Sequence, residues 1–220
     1  MESLEKPTEE EDNWSYLAPV YDELYGLVEY PDPVLIAEEM VRLNVRKEAT
    51  IADVGCGTGL LGKELLSKDF KNLVGIDAST KMLEQARAKN IYTSLVEHRF
   101  GEGPLAKELI NKFDVIVGAS IFSEDLMPIE AFDQFHQMIP NSAQEAHIII
   151  SGRSAALEAV PFIEKFNELE KEKKLCVVSK RTFIRYKNAP KGMMKGLEET
   201  EAMIMVFKKQ SREGEEEANA

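Results

Sequence analysis

The stretch that most restricts how this chain can fold is Ile51-Ala52-Asp53-Val54-Gly55-Cys56-Gly57-Thr58-Gly59. An apolar strand runs straight into three alternating glycines, and a helical pattern with Leu61, Leu65 and Leu66 on its inner face follows over about 60–67. A buried strand that bends through glycines into a helix opens a parallel α/β unit, because parallel neighbours need a crossover between them. Glycines at 55 and 57 let the backbone turn sharply and come close to a ligand without a Cβ in the way. The helix N-terminus behind them offers unpaired N–H groups and the positive end of a dipole. Asp77, eighteen positions beyond Gly59, closes a second apolar strand, 72–76. At the carboxyl edge of a doubly wound sheet, that carboxylate lies beside the glycine bend, where it can accept from both hydroxyls of a ribose.

The rest of the chain continues the alternation. Aromatic-rich residues 14–28 predict a short helix. Residues 32–43 predict a second, with Asp32 and Pro33 at its N-cap and first position. A helix from Ser79 or Thr80 to about Asn90 carries Met82, Leu83 and Ala86, and a third strand covers about 93–97. The run 113–120 is almost continuously apolar, as a strand buried on both faces should be. Pro128 opens a helix with Phe132, Phe135 and Ile139 as core, residues 147–151 form the fifth strand, and 155–173 a further helix. Two last strands, 175–186 and 202–209, have no helix between them, so the sheet should finish antiparallel. The expected fold is α/β: a doubly wound, Rossmann-like, seven-stranded and mostly parallel sheet with an antiparallel final strand, in one domain over 14–209.

Charge is concentrated at the ends. The chain carries a formal net charge of −12, of which residues 1–13 hold −5 and 211–220 hold −3. Both ends, 1–13 and 210–220, read as solvated acidic tails, since such runs bury too little apolar area to order themselves. The acidity argues against a general nucleic-acid binder, whose phosphate-tracking surface needs excess Lys and Arg. Two cysteines make no disulfide framework, three histidines show no metal-ligand spacing, and no apolar run is long enough to span a bilayer. The first residues do not resemble a signal or transit peptide. A cytoplasmic protein without membrane or nucleic-acid partners and without a metal is the expectation.

The bend also indicates its ligand. A dinucleotide fingerprint wants G-x-G-x-x-G, whereas Leu60 stands where the third glycine would be. Asp53 would repel a pyrophosphate but suits a ligand carrying an ammonium or a sulfonium, which favours S-adenosylmethionine (SAM) over NAD. With these residues in place, IADVGCGTGLLG, GIDAST followed by KMLEQARAK, and FDVIVGASIF resemble the first, second and fourth motifs of class I SAM-dependent methyltransferases. WSYLAPVYDELY, IYTSLVEHRF and HIIISGRS are in turn similar to the methyltransferase-like family named from the Williams–Beuren chromosome region. The resemblance implies backbone contacts to SAM from Gly55, Cys56 and Gly57, ribose on Asp77, and adenine between Ala78, Met82 and Phe100. It puts the open side of the cofactor against Ala119 and Ser120, with Trp14, Tyr16 and Tyr21 folding over the mouth. Arg99 stands where this class usually has an acid for the adenine amino group, so Glu97 or a backbone carbonyl must accept instead. PNSAQEA at 140–146 lacks the usual glycines.

No catalytic base announces itself. GASIF follows the fourth strand in place of an Asn/Asp-Pro-Pro-Tyr motif, and Cys56 lies inside the bend as a small loop residue. What remains is a small-molecule acceptor, with Arg153 and Tyr186 as candidate lining residues. The alternatives are a SAM-binding protein of the same fold without turnover, and an NAD-type oxidoreductase. Glu124 and Asp125 follow the fourth strand as loop acids, and His136 falls on a core helix. Residues 171–195 carry net +8, which reads as solvated strand faces and a charged sheet edge, or as an anchor for an anionic acceptor.

Overall fold

The computed structural model describes residues 13–122, 127–143, 145–187, 189 and 197–210. The elements run α1 (Asn13–Leu17), a 3₁₀ turn (Ala18–Val20), α2 (Tyr21–Leu27), α3 (Asp32–Arg42), β1 (Ile51–Val54), α4 (Leu60–Ser67) and β2 (Leu73–Asp77). Then come α5 (Thr80–Ala88), β3 (Ser94–Glu97), β4 (Val115–Phe122), α6 (Ala131–Met138) and β5 (His147–Arg153). The chain finishes with α7 (Ser154–Leu157), α8 (Val160–Lys171), β6 (Leu175–Arg185) and β7 (Thr200–Lys209). One seven-stranded sheet has the order β3-β2-β1-β4-β5-β7-β6, and β7 runs antiparallel to both of its neighbours. This is the expected doubly wound sheet with its antiparallel finish.

The central strands are apolar along their whole length because helices cover both faces. Every residue of β1 is buried, as is the Ala202–Phe207 run of β7. On one face Phe132, Phe135 and Met138 of α6 meet Phe166 and Leu169 of α8 over Ile116, Ile148 and Phe207. On the other, Ile36 and Met40 of α3 and Leu61 and Leu65 of α4 close over Ile51, Val117 and Ile149. A third cluster joins Tyr25, Val28, Tyr186 and Leu197 beside the carboxyl edge.

Three helical expectations need correction. The helix expected over 14–28 is two helices around a 3₁₀ turn, where Pro19 removes a backbone donor. The helix expected over 155–173 is interrupted at Glu158 and Ala159, because Pro161 restarts it as the first turn of α8. Asp32 is not an N-cap: Pro31 holds that position without a side-chain bond, and Asp32 is buried in the first turn of α3. Its carboxylate pairs with the guanidinium of Arg185 at the far end of β6: Nε donates to Oδ1 at 2.9 Å, and Nη2 donates to Oδ2. Arg185 thus departs from the solvated face expected of its basic segment, whereas Lys171, Lys173, Lys180, Arg181 and Lys187 are exposed.

The same carboxylate shapes the carboxyl edge of the sheet. Ser151 Oγ donates to Asp32 Oδ2 at 2.5 Å, and the Ser120 amide donates to Ser151 Oγ at 3.0 Å. Ser120 has φ +58°, in a left-handed conformation unusual for a residue with a Cβ. The β4–β5 register slips here: Gly118 faces Ile150 and Phe122 faces Gly152. This bulge re-aims Ala119 and Ser120 at the mouth of the sheet.

Candidate cofactor site

The bend after β1 carries Gly55 and Gly57 at φ +62° and +52°, conformations open to glycine at little cost. A Cβ on Gly57 would meet only Met82 Sδ at 3.9 Å, so the space over that residue is open to a ligand. Asp77 secures the bend from the end of β2. Its Oδ2 accepts from the Gly57 amide at 2.8 Å and its Oδ1 from the Ser79 amide at 2.9 Å. A carboxylate oxygen can accept more than one hydrogen bond. Ser79 caps α5 by accepting from the Met82 amide.

A crevice opens at this bend, lined by Tyr21, Tyr30, Pro33, Asp53, Gly55, Cys56, Gly57, Leu60, Leu61 and Ala119. The sequence-expected residues Asp53, Gly55, Cys56, Gly57, Ala119 and Tyr21 are therefore brought together. Met82 is buried below Gly57, and Ala78 is half-buried beside Asp77. Ser120 adjoins Ala119. Phe100 is not in the lining: it is 4% exposed, packed edge-on against Phe135 and His98 in the core. Arg99 leans to Glu102 at 3.9 Å on the surface, and Glu97 accepts from Thr80 Oγ1 at 2.8 Å. Tyr186 is buried, Arg153 ends β5 half-buried, and Glu124 and Asp125 lie outside the described residues.

The N-terminal aromatics dock over the crevice. Tyr21 stacks on Tyr25 with centroids 4.2 Å apart, Trp14 meets Tyr21 edge-on at 6.3 Å, and Tyr25 reaches Tyr30 and Tyr186 at 5.0 and 6.3 Å. Tyr16 is half-buried on α1. Two polar clasps hold this layer. Ser15 and Ser79 share a hydroxyl bond at 2.8 Å, and Thr58 Oγ1 donates to Asp22 Oδ1 at 2.5 Å while Lys89 pairs with Asp22 Oδ2 at 2.5 Å. Thr58 was legible only as a loop residue, and although Asp22 and Lys89 fall within the segments WSYLAPVYDELY and KMLEQARAK, nothing local pairs them.

The floor of the crevice carries a buried carboxyl group. Asp53 is 1% exposed; its Oδ2 accepts from the Tyr92 hydroxyl at 2.6 Å, and its Oδ1 has no hydrogen-bond partner. Burial raises its pKa to about 7 against the opposing Tyr92 bond, with the Asp77 charge adding to the rise. Burial likewise pushes the Cys56 thiol well above its ordinary range, so it is no nucleophile. Tyr21 and Tyr30 are pushed up by burial and stay neutral. A buried carboxylate with an unpaired oxygen suits an ammonium and repels a phosphate, so these residues fit SAM. Among the described residues, no group of three or more His, Cys, Asp and Glu could hold a metal ion.

Comparison with known proteins agrees with this geometry. Residues 51–141 match the family model described as a methyltransferase domain. Human methyltransferase-like protein 27 is 33% identical over 131 residues, covering 59% of this chain and 52% of that protein. An uncharacterized methyltransferase of Schizosaccharomyces pombe is 40% identical over 55 residues, 25% of this chain and 21% of that protein. The chain thus spans about half the length, or less, of these curated relatives. Among solved structures, a SAM-dependent methyltransferase of Methanococcus maripaludis superposes with TM-score 0.60 at 18% identity, covering 94% of this chain and 99% of that one. The methyltransferase in complex with the Trm112 activator of Haloferax volcanii gives 0.64 at 14% identity, over 91% and 99%. At such identities the superpositions speak for the fold alone. Residues 51–141 are thus similar to a methyltransferase domain, and the chain shares its fold with these superposed structures.

Proposed function

We propose that the chain transfers a methyl group from SAM to a small-molecule acceptor in the crevice under the N-terminal tyrosines, and that it does so in the cytoplasm. The observation that carries this reading is the joining of an unpaired buried carboxylate, an open glycine bend and a tyrosine cover in one crevice. Asp77 would take the ribose hydroxyls, Gly55, Cys56 and Gly57 the backbone contacts, and Asp53 the amino-acid end. Ala78 and Met82 would meet the adenine, with Phe100 supporting them from the core. Bound SAM supplies a methyl carbon already activated by a sulfonium. The chain's own residues then have to align the acceptor and keep water out. Such positioning is worth on the order of 7–11 kcal/mol. Trp14, Tyr16 and Tyr21 close the mouth, which limits the acceptor to what fits beneath them, and Ala119 and Ser120 form the opposite wall.

Supporting a second reading, a SAM-binding protein without turnover, is that the crevice offers no base apart from Asp53, which this reading assigns to the ligand's ammonium: Cys56, Tyr21 and Tyr30 all keep their protons. An acceptor whose nucleophile carries no ionisable proton needs none. The chain's net charge of −12 argues against RNA as acceptor.

Two measurements test the reading. In thermal shift, SAM or its product at about 100 times Kd adds roughly 2.7 kcal/mol, several degrees for a domain of this size. NAD should add nothing, and the reverse pattern refutes the assignment. Labelled methyl donor incubated with a metabolite extract then separates enzyme from binder, since tight binding without transfer to any acceptor favours the latter. Asp77→Ala should weaken SAM by about 1.5–3 kcal/mol through loss of charge-assisted bonds. An unchanged affinity in the folded variant places the ribose elsewhere.

A further inference from the structure

Tyr92 has no part in the reading above, yet it occupies a slot kept open for it. An ideal Cβ on Gly62 would fall 2.4 Å from the Tyr92 hydroxyl oxygen, and one on Gly59 would fall 3.2 Å from its ring. The absence of both side chains lets the ring pass beneath the bend and deliver its hydroxyl to Asp53 Oδ2 at 2.6 Å. Burial raises the Tyr92 pKa well above its ordinary value, so it stays protonated and donates. Asp53 is thereby held by one oxygen while the other, buried and without a partner, belongs to a residue that lines the crevice.

Among the described residues, the groups facing this carboxylate supply no positive charge. Asp77 approaches from the end of β2, the neutral Cys56 thiol from the bend, and the neutral Tyr92 from ahead of β3. Tyr21 and Tyr30 share the crevice, uncharged; α4 contributes Leu60, Leu61 and the neutral Gly62 amide, which hydrogen-bonds the carboxyl group, and β4 contributes Ala119. A sealed carboxylate next to another carboxylate, with no cation in reach among the described residues, holds its proton up to about neutral pH.

We propose that binding of the amino-acid end of SAM, or of its demethylated product, expels a proton from Asp53, and that Tyr92 is the positioning residue that keeps the carboxylate turned toward the ligand's ammonium group. In the step the Asp53 O–H bond breaks, the proton passes to the buffer, and the freed oxygen accepts an N–H from the ammonium. No electrons are exchanged. This inference rests on the cofactor reading and adds to it a coupling between affinity and pH.

Calorimetric titration of the full chain with S-adenosylhomocysteine, in two buffers of different ionisation enthalpy, counts the protons released. With Asp53 at about 7, linkage predicts release of nearly one proton per site at pH 6 and about half at pH 7, with affinity falling about tenfold per pH unit below that. The ligand's own amino group stays largely protonated in this window. 5′-Methylthioadenosine, which lacks the amino-acid end, should bind without releasing a proton. Asp53→Asn should abolish the release for S-adenosylhomocysteine as well. Tyr92→Phe should weaken S-adenosylhomocysteine about tenfold, leave 5′-methylthioadenosine unchanged and move the midpoint of the pH profile upward. A merely structural Tyr92 would lower both affinities alike and leave the midpoint in place, which overturns its positioning role. S-adenosylhomocysteine bound with no proton released overturns the coupling and leaves the cofactor reading standing; no binding at all removes both.

Discussion

Replacing Arg185 alone with Met lowers the unfolding free energy by about 3–5 kcal/mol, because it strands the Asp32 carboxylate without its cation. Asp32 is 0% exposed and Arg185 1%. Burial works against the Arg185 charge, and the Asp32 carboxylate with the nearby Tyr30 more than offsets it, so its pKa is raised. In a chain of this length each kcal/mol moves Tm by roughly 2–4 °C, which puts the loss at about 6–20 °C. Asp32→Leu should cost a similar amount, since among the described residues it leaves the buried guanidinium with the faces of Tyr30, Phe183 and Tyr186 at 5.7–5.9 Å. The double variant D32L/R185M should recover most of the loss, because the pair's desolvation cost goes with it. A double-mutant cycle by urea denaturation reads the coupling directly. Single variants within about 1 kcal/mol of the parent would mean that solvent reaches this site and that the pair is a surface ion pair in energetic terms. The double variant should still differ from the parent at the bulge. Ser151 loses its acceptor there, so the strained Ser120 turn loosens, and with it the wall opposite the tyrosines.

What the sequence made legible follows from which forces act locally. The β1 bend could be read because its glycines alternate within five residues and their spacing alone dictates a turn. The mostly parallel, doubly wound sheet followed from apolar runs alternating with helical ones, and the antiparallel finish from the missing helix between β6 and β7. The Asp32–Arg185 pair could not be read, since its partners lie 153 positions apart. Asp32 also precedes a proline, where a capping role is the ordinary one, and Arg185 sits among basic residues that are indeed solvated. Tyr92 was hidden for a similar reason: its meaning comes from the space above Gly59 and Gly62, and a glycine in a helical pattern signals only an absence. Phe100 follows the third strand, and what the sequence did not show is that its ring packs edge-on against the distant Phe135. Local chemistry located the cofactor bend; long-range packing decided which side chains support it.

Asp53→Asn should make the ligand-free protein more stable above neutral pH, and the gain should vanish in acid. The folded-state pKa of Asp53 stands at about 7, raised from 3.8 chiefly by burial. Below about pH 4 both folded and unfolded chains hold the proton, and the group contributes nothing. Between about pH 4 and 7 the unfolded chain gives up its proton while the folded one keeps it, so the folded state loses roughly 1.4 kcal/mol for each pH unit. Above about pH 7 the penalty levels off near 4 kcal/mol. The D53N variant has no such group, so its advantage over the parent should grow across that window and then stay flat. Urea denaturation of both proteins from pH 4 to 9 measures the difference. His98 and His147, whose pKa values burial pushes down, titrate in both proteins and cancel. A difference independent of pH would show Asp53 ionised throughout. Saturating S-adenosylhomocysteine should reverse the ranking above neutral pH, because the ammonium that the parent can pair has no anion to meet in the variant. A buried acid that weakens the empty protein most where it would bind its ligand best is hard to account for as packing, and is what stability exchanged for a binding site looks like.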